Sequence, residues 1–93
     1  MSDITMHSII SRNSQITAAD MDGEIVMMNI ENGNYYNLGK TGSTIWNMLQ
    51  EPITLQALME QLLDRYDVTR KQCEDDTLSF LQQLWKAGLI VIE

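Results

Sequence analysis

The sequence is poor in the residues from which reactive sites are built. Its 93 residues include one cysteine, Cys73, and one histidine, His7. No internal disulfide can form, and the lone thiol points to nothing beyond a reducing compartment. A zinc site wants about four such ligands, and no loop carries Asp and Asn at calcium-ligand spacing. No metal and no other cofactor is therefore expected. Basic residues are scarce as well: six against 13 acidic, for a formal net charge of −7. That balance opposes a nucleic-acid partner, whose affinity rests on Lys and Arg neutralising phosphates. It suits a neutral or basic peptide, or simply solubility. No apolar run approaches the roughly 20 residues that span a bilayer. The start, Met1-Ser2-Asp3-Ile4-Thr5-Met6-His7, lacks the basic-then-apolar layout of a signal peptide. These absences predict one soluble, cytoplasmic domain without membrane contact.

What is present is a change of period along the chain. Residues 1–13 carry scattered apolar positions and read as a flexible N-terminal segment, with the domain proper over 14–93 and a short strand near Ser14 to Ala19. Glu24-Ile25-Val26-Met27-Met28-Asn29-Ile30 is β-prone, Asn32-Gly33 suits a two-residue type I′ turn, and Asn34-Tyr35-Tyr36-Asn37-Leu38 is a return strand. Folding over that turn pairs Ile30 with Tyr35, Asn29 with Tyr36 and Met27 with Leu38. One face carries Val26, Met28, Ile30 and Tyr35; the other carries Ile25, Met27, Tyr36 and Leu38. Both are apolar, so the pattern leaves open which covers the core. After Gly39 the period becomes helical. A first helix runs from Thr41 to about Leu49 and is stopped at Glu51-Pro52. A second follows Thr54 with Leu55, Leu58, Met59, Leu62 and Tyr66 on one face. A third opens on the box Thr69-x-x-Gln72 and ends at Gly88. Cys73, Thr77, Phe80, Leu81 and Leu84 share its face, and Leu89-Ile90-Val91-Ile92 follows as a last strand or packed tail. The expected fold is α+β: an antiparallel hairpin or three-stranded sheet on three helices, winged helix-turn-helix-like.

Catalysis has no constellation to stand on. The only histidine lies in the tail, and Asp75 and Asp76 are neighbours that diverge by about 100° on a helix. Glu74 and Asp75 are read as negative charge favouring the start of the third helix, with Asp76 as a candidate lip of a groove beside Cys73, Thr77 and Phe80. The stretch from Gly33 to Thr41 imitates a phosphate loop, but five residues separate Gly33 from Gly39-Lys40 where that loop has four, and two are tyrosines. Arg65, Arg70 and Lys71 could meet phosphates in a winged-helix DNA-binding regulator, yet Glu74-Asp75-Asp76 follow where bases would be read. The remaining signal is the strand Tyr35-Tyr36-Asn37-Leu38, which has no Lys or Pro to guard its edge. An unguarded edge is the condition for capturing a peptide as an added strand. Cover by the N-terminal segment, or pairing with a second copy, would meet the same condition.

Four segments in this order resemble the PqqD-like family. Val26 to Leu38 is similar to its opening hairpin, and Gly42-Ser43-Thr44-Ile45-Trp46 with Leu49 to its first helix. Ile53-Thr54-Leu55 with Leu58, Leu62 and Tyr66 resembles the second helix, and Asp76 to Leu84 followed by Ala87-Gly88-Leu89-Ile90 the third and its terminator. The resemblance implies a non-catalytic recognition domain for ribosomally made, post-translationally modified peptides. Such a domain binds the precursor's leader segment beside the hairpin's last strand and presents it to a leader peptidase or another modifying enzyme. Carried onto this sequence, the peptide site is Tyr35, Tyr36, Asn37 and Leu38, with Cys73, Asp76, Thr77 and Phe80 as the helical wall. A free-standing domain of this size is similar to the small proteins of lasso-peptide pathways, and PqqD-type chaperones of quinone-cofactor synthesis are the other relatives. The resemblance leaves a monomer or a strand-exchanged dimer open.

Overall fold

In the computed structural model, residues 4–31 and 33–93 are described. The elements in order are β1 (Ile9–Arg12), β2 (Ile16–Met21), β3 (Glu24–Asn29), β4 (Tyr35–Asn37), α1 (Gly39–Met48), β5 (Ile53–Thr54), α2 (Leu55–Arg65), α3 (Arg70–Lys86) and β6 (Ile90–Ile92). They form two small antiparallel sheets, β2-β3-β4 and β5-β1-β6, on three helices. The α+β expectation holds.

The alternation of β3 buries Ile25, Met27 and Asn29 and leaves Val26 and Met28 half-covered. This settles which face meets the core. Tyr36 and Leu38 pack on it, whereas Tyr35 is 73% exposed on the outside. The register differs from expectation: Met28 pairs with Tyr35, Met27 with Tyr36 and Val26 with Asn37, a slip of two residues. A slip of two keeps every side chain on its face, so the division of faces survives. Asn29 is the cause. Buried in the sheet, its Nδ2 donates to the Ala87 carbonyl at 3.1 Å and its Oδ1 accepts the Glu31 N–H at 2.9 Å. The Asn29 N–H donates to Asn34 O at 3.0 Å, and Gly33 N–H to Asn29 O at 2.8 Å, closing a wider loop. The expected Asn32-Gly33 turn falls on Asn32, which lies outside the described residues. A two-residue turn with positive φ at both positions does occur, at Asp22-Gly23 between β2 and β3 (φ 58° and 86°).

The starts of α2 and α3 are capped by side chains. Thr54 Oγ1 accepts the Ala57 N–H at 3.2 Å, and Thr69 Oγ1 the Gln72 N–H at 3.1 Å. The Gln72 amide does not complete the box; it donates to Asp76 Oδ2 at 2.9 Å. Glu74 and Asp75 fall beyond the first turn, and Asp75 pairs with Lys71 on the surface at 3.1 Å. At the other end of α3 the Leu89 N–H reaches Leu84 O, and Gly88 (φ 76°) donates to Trp85 O, the Schellman arrangement that glycine permits. The first helix begins at Gly39, two residues before Thr41; its N-cap Leu38 has no capping side chain, and Asn37 Oδ1 accepts the Gly39 N–H at 2.9 Å. Ser43 Oγ then donates to Gly39 O and accepts the Ile25 N–H at 2.7 Å, fastening α1 to β3.

The segment read as a flexible lead-in needs correction. Residues 9–12 form β1, the middle strand of the second sheet, pairing Ile9 and Ile10 with Thr54 and Ile53, and Ile10 to Arg12 with Ile92 to Ile90. Ile10 is wholly buried. The Arg12 guanidinium lies 4.5 Å over the Trp46 ring, and its Nη2 donates to the Trp46 carbonyl. Burial lowers its pKa. The C-terminal apolar run is a strand, β6, and it too depends on β1.

Candidate functional site

The strand β4 lies at the margin of its sheet, bonded to β3 on one side only. Leu38 N–H donates to Ile25 O at 3.0 Å, and Asn29 N–H to Asn34 O. In an antiparallel ladder these bonds fall on every second residue. Residues 34, 36 and 38 therefore turn their peptide groups to β3. Tyr35 and Asn37 turn theirs to the open side.

Beside that edge runs α3, and two hollows between them share Leu38 and Phe80. One, of about 460 Å³, joins Leu38 to Cys73, Asp76, Thr77 and Phe80. The other, of about 540 Å³, joins Tyr35, Tyr36, Asn37 and Leu38 to Phe80. The structure thus gathers all eight sequence-named residues along one trough, though not in equal roles. Cys73 and Thr77 are 6% and 3% exposed, with Sγ 3.8 Å from Oγ1, and form its floor. Phe80 is half-buried between the two hollows. Asp76 is exposed at the lip, held by Gln72 through one carboxylate oxygen. Tyr35 contributes its backbone, because its ring projects from the outer face.

Other lining residues escaped the sequence reading. Ile45, Leu62, Tyr66 and Val68 extend the first hollow, and Gln83, Leu84 and Ala87 the second. Gln83 and Ala87 continue the row Asp76, Phe80 at helical spacing, so periodicity alone could have found them. Nothing local marks Val68, which comes from the turn before α3. Gly42 is a separate case: a Cβ there would lie 2.9 Å from Phe80 Cζ and 3.0 Å from Leu38 Cβ. Its bare backbone lets α1 come close enough for those two side chains to form the saddle.

The trough can bind but has little with which to react. Apart from the Asp76 carboxylate its ionisable side chains are the Tyr35, Tyr36 and Tyr66 phenols and the buried Cys73 thiol. Among the described residues no three of His, Cys, Asp or Glu stand together to hold a metal. An open strand edge along an apolar trough offers backbone hydrogen bonds to an extended chain and recesses for its alternate side chains.

Residues 24–90 match the family model described as coenzyme PQQ synthesis protein D, PqqD. The structure is similar to that of TbiB1 in complex with the TbiA(beta) leader peptide, with a TM-score of 0.80 and 28% identity over 86% of this chain and 93% of that one. It is also similar to a lasso peptide synthetase B1 complexed with the leader peptide, with a TM-score of 0.71 and 22% identity over 88% of this chain and 96% of that one. At that identity the second likeness speaks for the fold alone. No curated protein matches the sequence.

Proposed function

The chain belongs to the PqqD family, and on that premise we propose that it is a non-catalytic adaptor for the leader segment of a ribosomally synthesised precursor peptide. The leader adds as a strand to the open edge of β4, exchanging hydrogen bonds with the peptide groups of Tyr35 and Asn37. Alternate leader side chains enter the hollows on either side of the Leu38–Phe80 saddle. Asp76 stands at the lip, where a basic or amide group of the leader would meet it. Tyr36, Cys73 and Thr77 shape the trough from behind.

One observation carries this reading: the unpaired edge of β4 lies along an apolar trough walled by α3. The similarity to TbiB1, recorded with a leader peptide, favours the lasso-peptide branch. Delivery to a leader peptidase is the step that would follow capture. No helix among the described residues is long and apolar enough to cross a membrane.

The test is an NMR titration of the full chain with the synthetic leader of the precursor encoded beside its gene. Tyr35 and Asn37 amides should shift and become protected from exchange, while the Leu38 amide, already bonded to Ile25, changes less. Silent Tyr35 and Asn37 amides at high micromolar leader would sink the proposal.

A further inference from the structure

The same sheet has a second bare edge, on β2. Its six residues pair with β3 without interruption from Ile16↔Asn29 to Met21↔Glu24, and residues 17–21 are exposed. The tight turn at Asp22-Gly23 makes Met21 and Glu24 a hydrogen-bonded pair, so Ala19 and Thr17 bond to Val26 and Met28. Counting from the other side agrees, because Ile25, Met27 and Asn29 turn their peptide groups toward β4. There Leu38 N–H meets Ile25 O and Asn29 N–H meets Asn34 O, with the Ile25 N–H going to Ser43 Oγ on the same side. Ile16, Ala18 and Asp20 therefore turn their peptide groups outward.

Natural edges are usually blunted by Lys, Pro, a bulge or an inward charge. This one has no Lys, Pro or bulge, and its one charge, Asp20, accepts the Gly23 N–H at 2.9 Å as part of the turn. The middle, Thr17-Ala18-Ala19, is small enough for another backbone to approach. The edge is also complementary to itself. Antiparallel pairing about Ala18 sets Ile16 opposite Asp20 and Ala18 opposite Ala18. The outward Ala18 and Asp20 N–H groups then each meet an outward C=O, while the Ile16 N–H keeps its bond to Asn13 O at 3.3 Å. Charge follows the same symmetry. Residues 13–19 are uncharged, while Asp20, Asp22 and Glu24 gather at the other end. Each acidic end would then lie against the uncharged end of the second copy. The two Asp20 positions are four residues apart along the strands, about 13 Å at ~3.3 Å per residue and beyond the Debye length of roughly 10 Å at 0.1 M salt.

We propose that β2 is a homodimerisation strand, pairing antiparallel with β2 of a second copy about Ala18. The result is a six-stranded sheet, β4-β3-β2-β2-β3-β4, with both β4 edges at its outer ends. Dimerisation leaves both troughs free and does not depend on what they bind.

Light scattering on the full chain across the micromolar range tests this with two variants. The unmodified chain should weigh twice 10.7 kDa at the upper concentrations. Ala18→Lys places like charges opposite one another, and should return the mass to 10.7 kDa with an unchanged circular dichroism spectrum. Ala18→Cys should cross-link on mild oxidation, because a hydrogen-bonded pair sits about 5.5 Å apart between Cα atoms, within the disulfide range. Cys73 is buried and should stay reduced in the same sample. A chain that remains at 10.7 kDa throughout, a dimer that survives Ala18→Lys, or an Ala18→Cys dimer linked through Cys73 would each overturn the proposal.

Discussion

At the scale of single residues, Gly42 and Asn29 hold the trough in shape without offering anything to a ligand. Gly42→Ala must move Phe80 or Leu38, since the added methyl would sit 2.9–3.0 Å from both. Overpacking of this kind costs about 1–3 kcal/mol. The expected outcome is a lower urea midpoint with an unchanged slope, and weaker leader binding in calorimetry than stability alone explains. Equal binding would mean that the Phe80 ring turns aside without narrowing the trough. Asn29→Ala strips the half-buried Ala87 carbonyl and the Glu31 N–H of their partners, a loss of about 0.5–1.5 kcal/mol for each bond. Amide exchange at Glu31 should quicken in the same variant. Neither residue was legible beforehand. A glycine in a helix reads as a weak spot until the opposing ring is known, and an asparagine in an apolar strand reads as solvent-facing. The residues that were legible, Phe80 and Asp76 among them, lie on a row that helical spacing fixes regardless of tertiary contacts.

At the scale of elements, the division of β3 and β4 into two faces followed from their alternation and survived a shift of register. The shift itself was not legible, because it goes with the Asn29 Nδ2 bond to the Ala87 carbonyl, a partner far along the chain that no local pattern records. Register has a direct consequence for the ligand edge. It turns Leu38 N–H inward to Ile25, so Leu38→Pro would damage the sheet and report on folding. Tyr35 is the informative position: its N–H faces the open side, and it begins its strand, where proline is tolerated. Tyr35→Pro should bind leader about tenfold more weakly than Tyr35→Ala, the worth of one net hydrogen bond near 1.4 kcal/mol. Both should keep native circular dichroism. Equal affinities for the two variants would show that the leader does not bond to this peptide group.

At the scale of the whole molecule, the chain is closed by contacts that no local pattern records. The helices were legible because apolar spacing and caps are local signals. The second sheet was not, because β1 joins β5 some 40 residues away and β6 some 80 residues away. A four-residue strand with one wholly buried side chain has no period to read. Its role is nonetheless central. Without β1, β5 and β6 have no partner strand, the face of the Trp46 ring loses the Arg12 guanidinium, and Ile10 leaves a hole in the core. Removing a buried isoleucine alone costs about 2–5 kcal/mol, against a total stability for small domains of roughly 5–15 kcal/mol. Deletion of residues 1–12 should therefore abolish cooperative thermal unfolding and, with it, leader binding. Ile10→Ala in the full chain should lower the melting temperature while leaving saturated binding intact at low temperature, since Ile10 lies outside the trough. A truncated chain that still melts cooperatively near the full-length midpoint would mean that the first sheet and the helices suffice, and that β1 merely rests on a core complete without it.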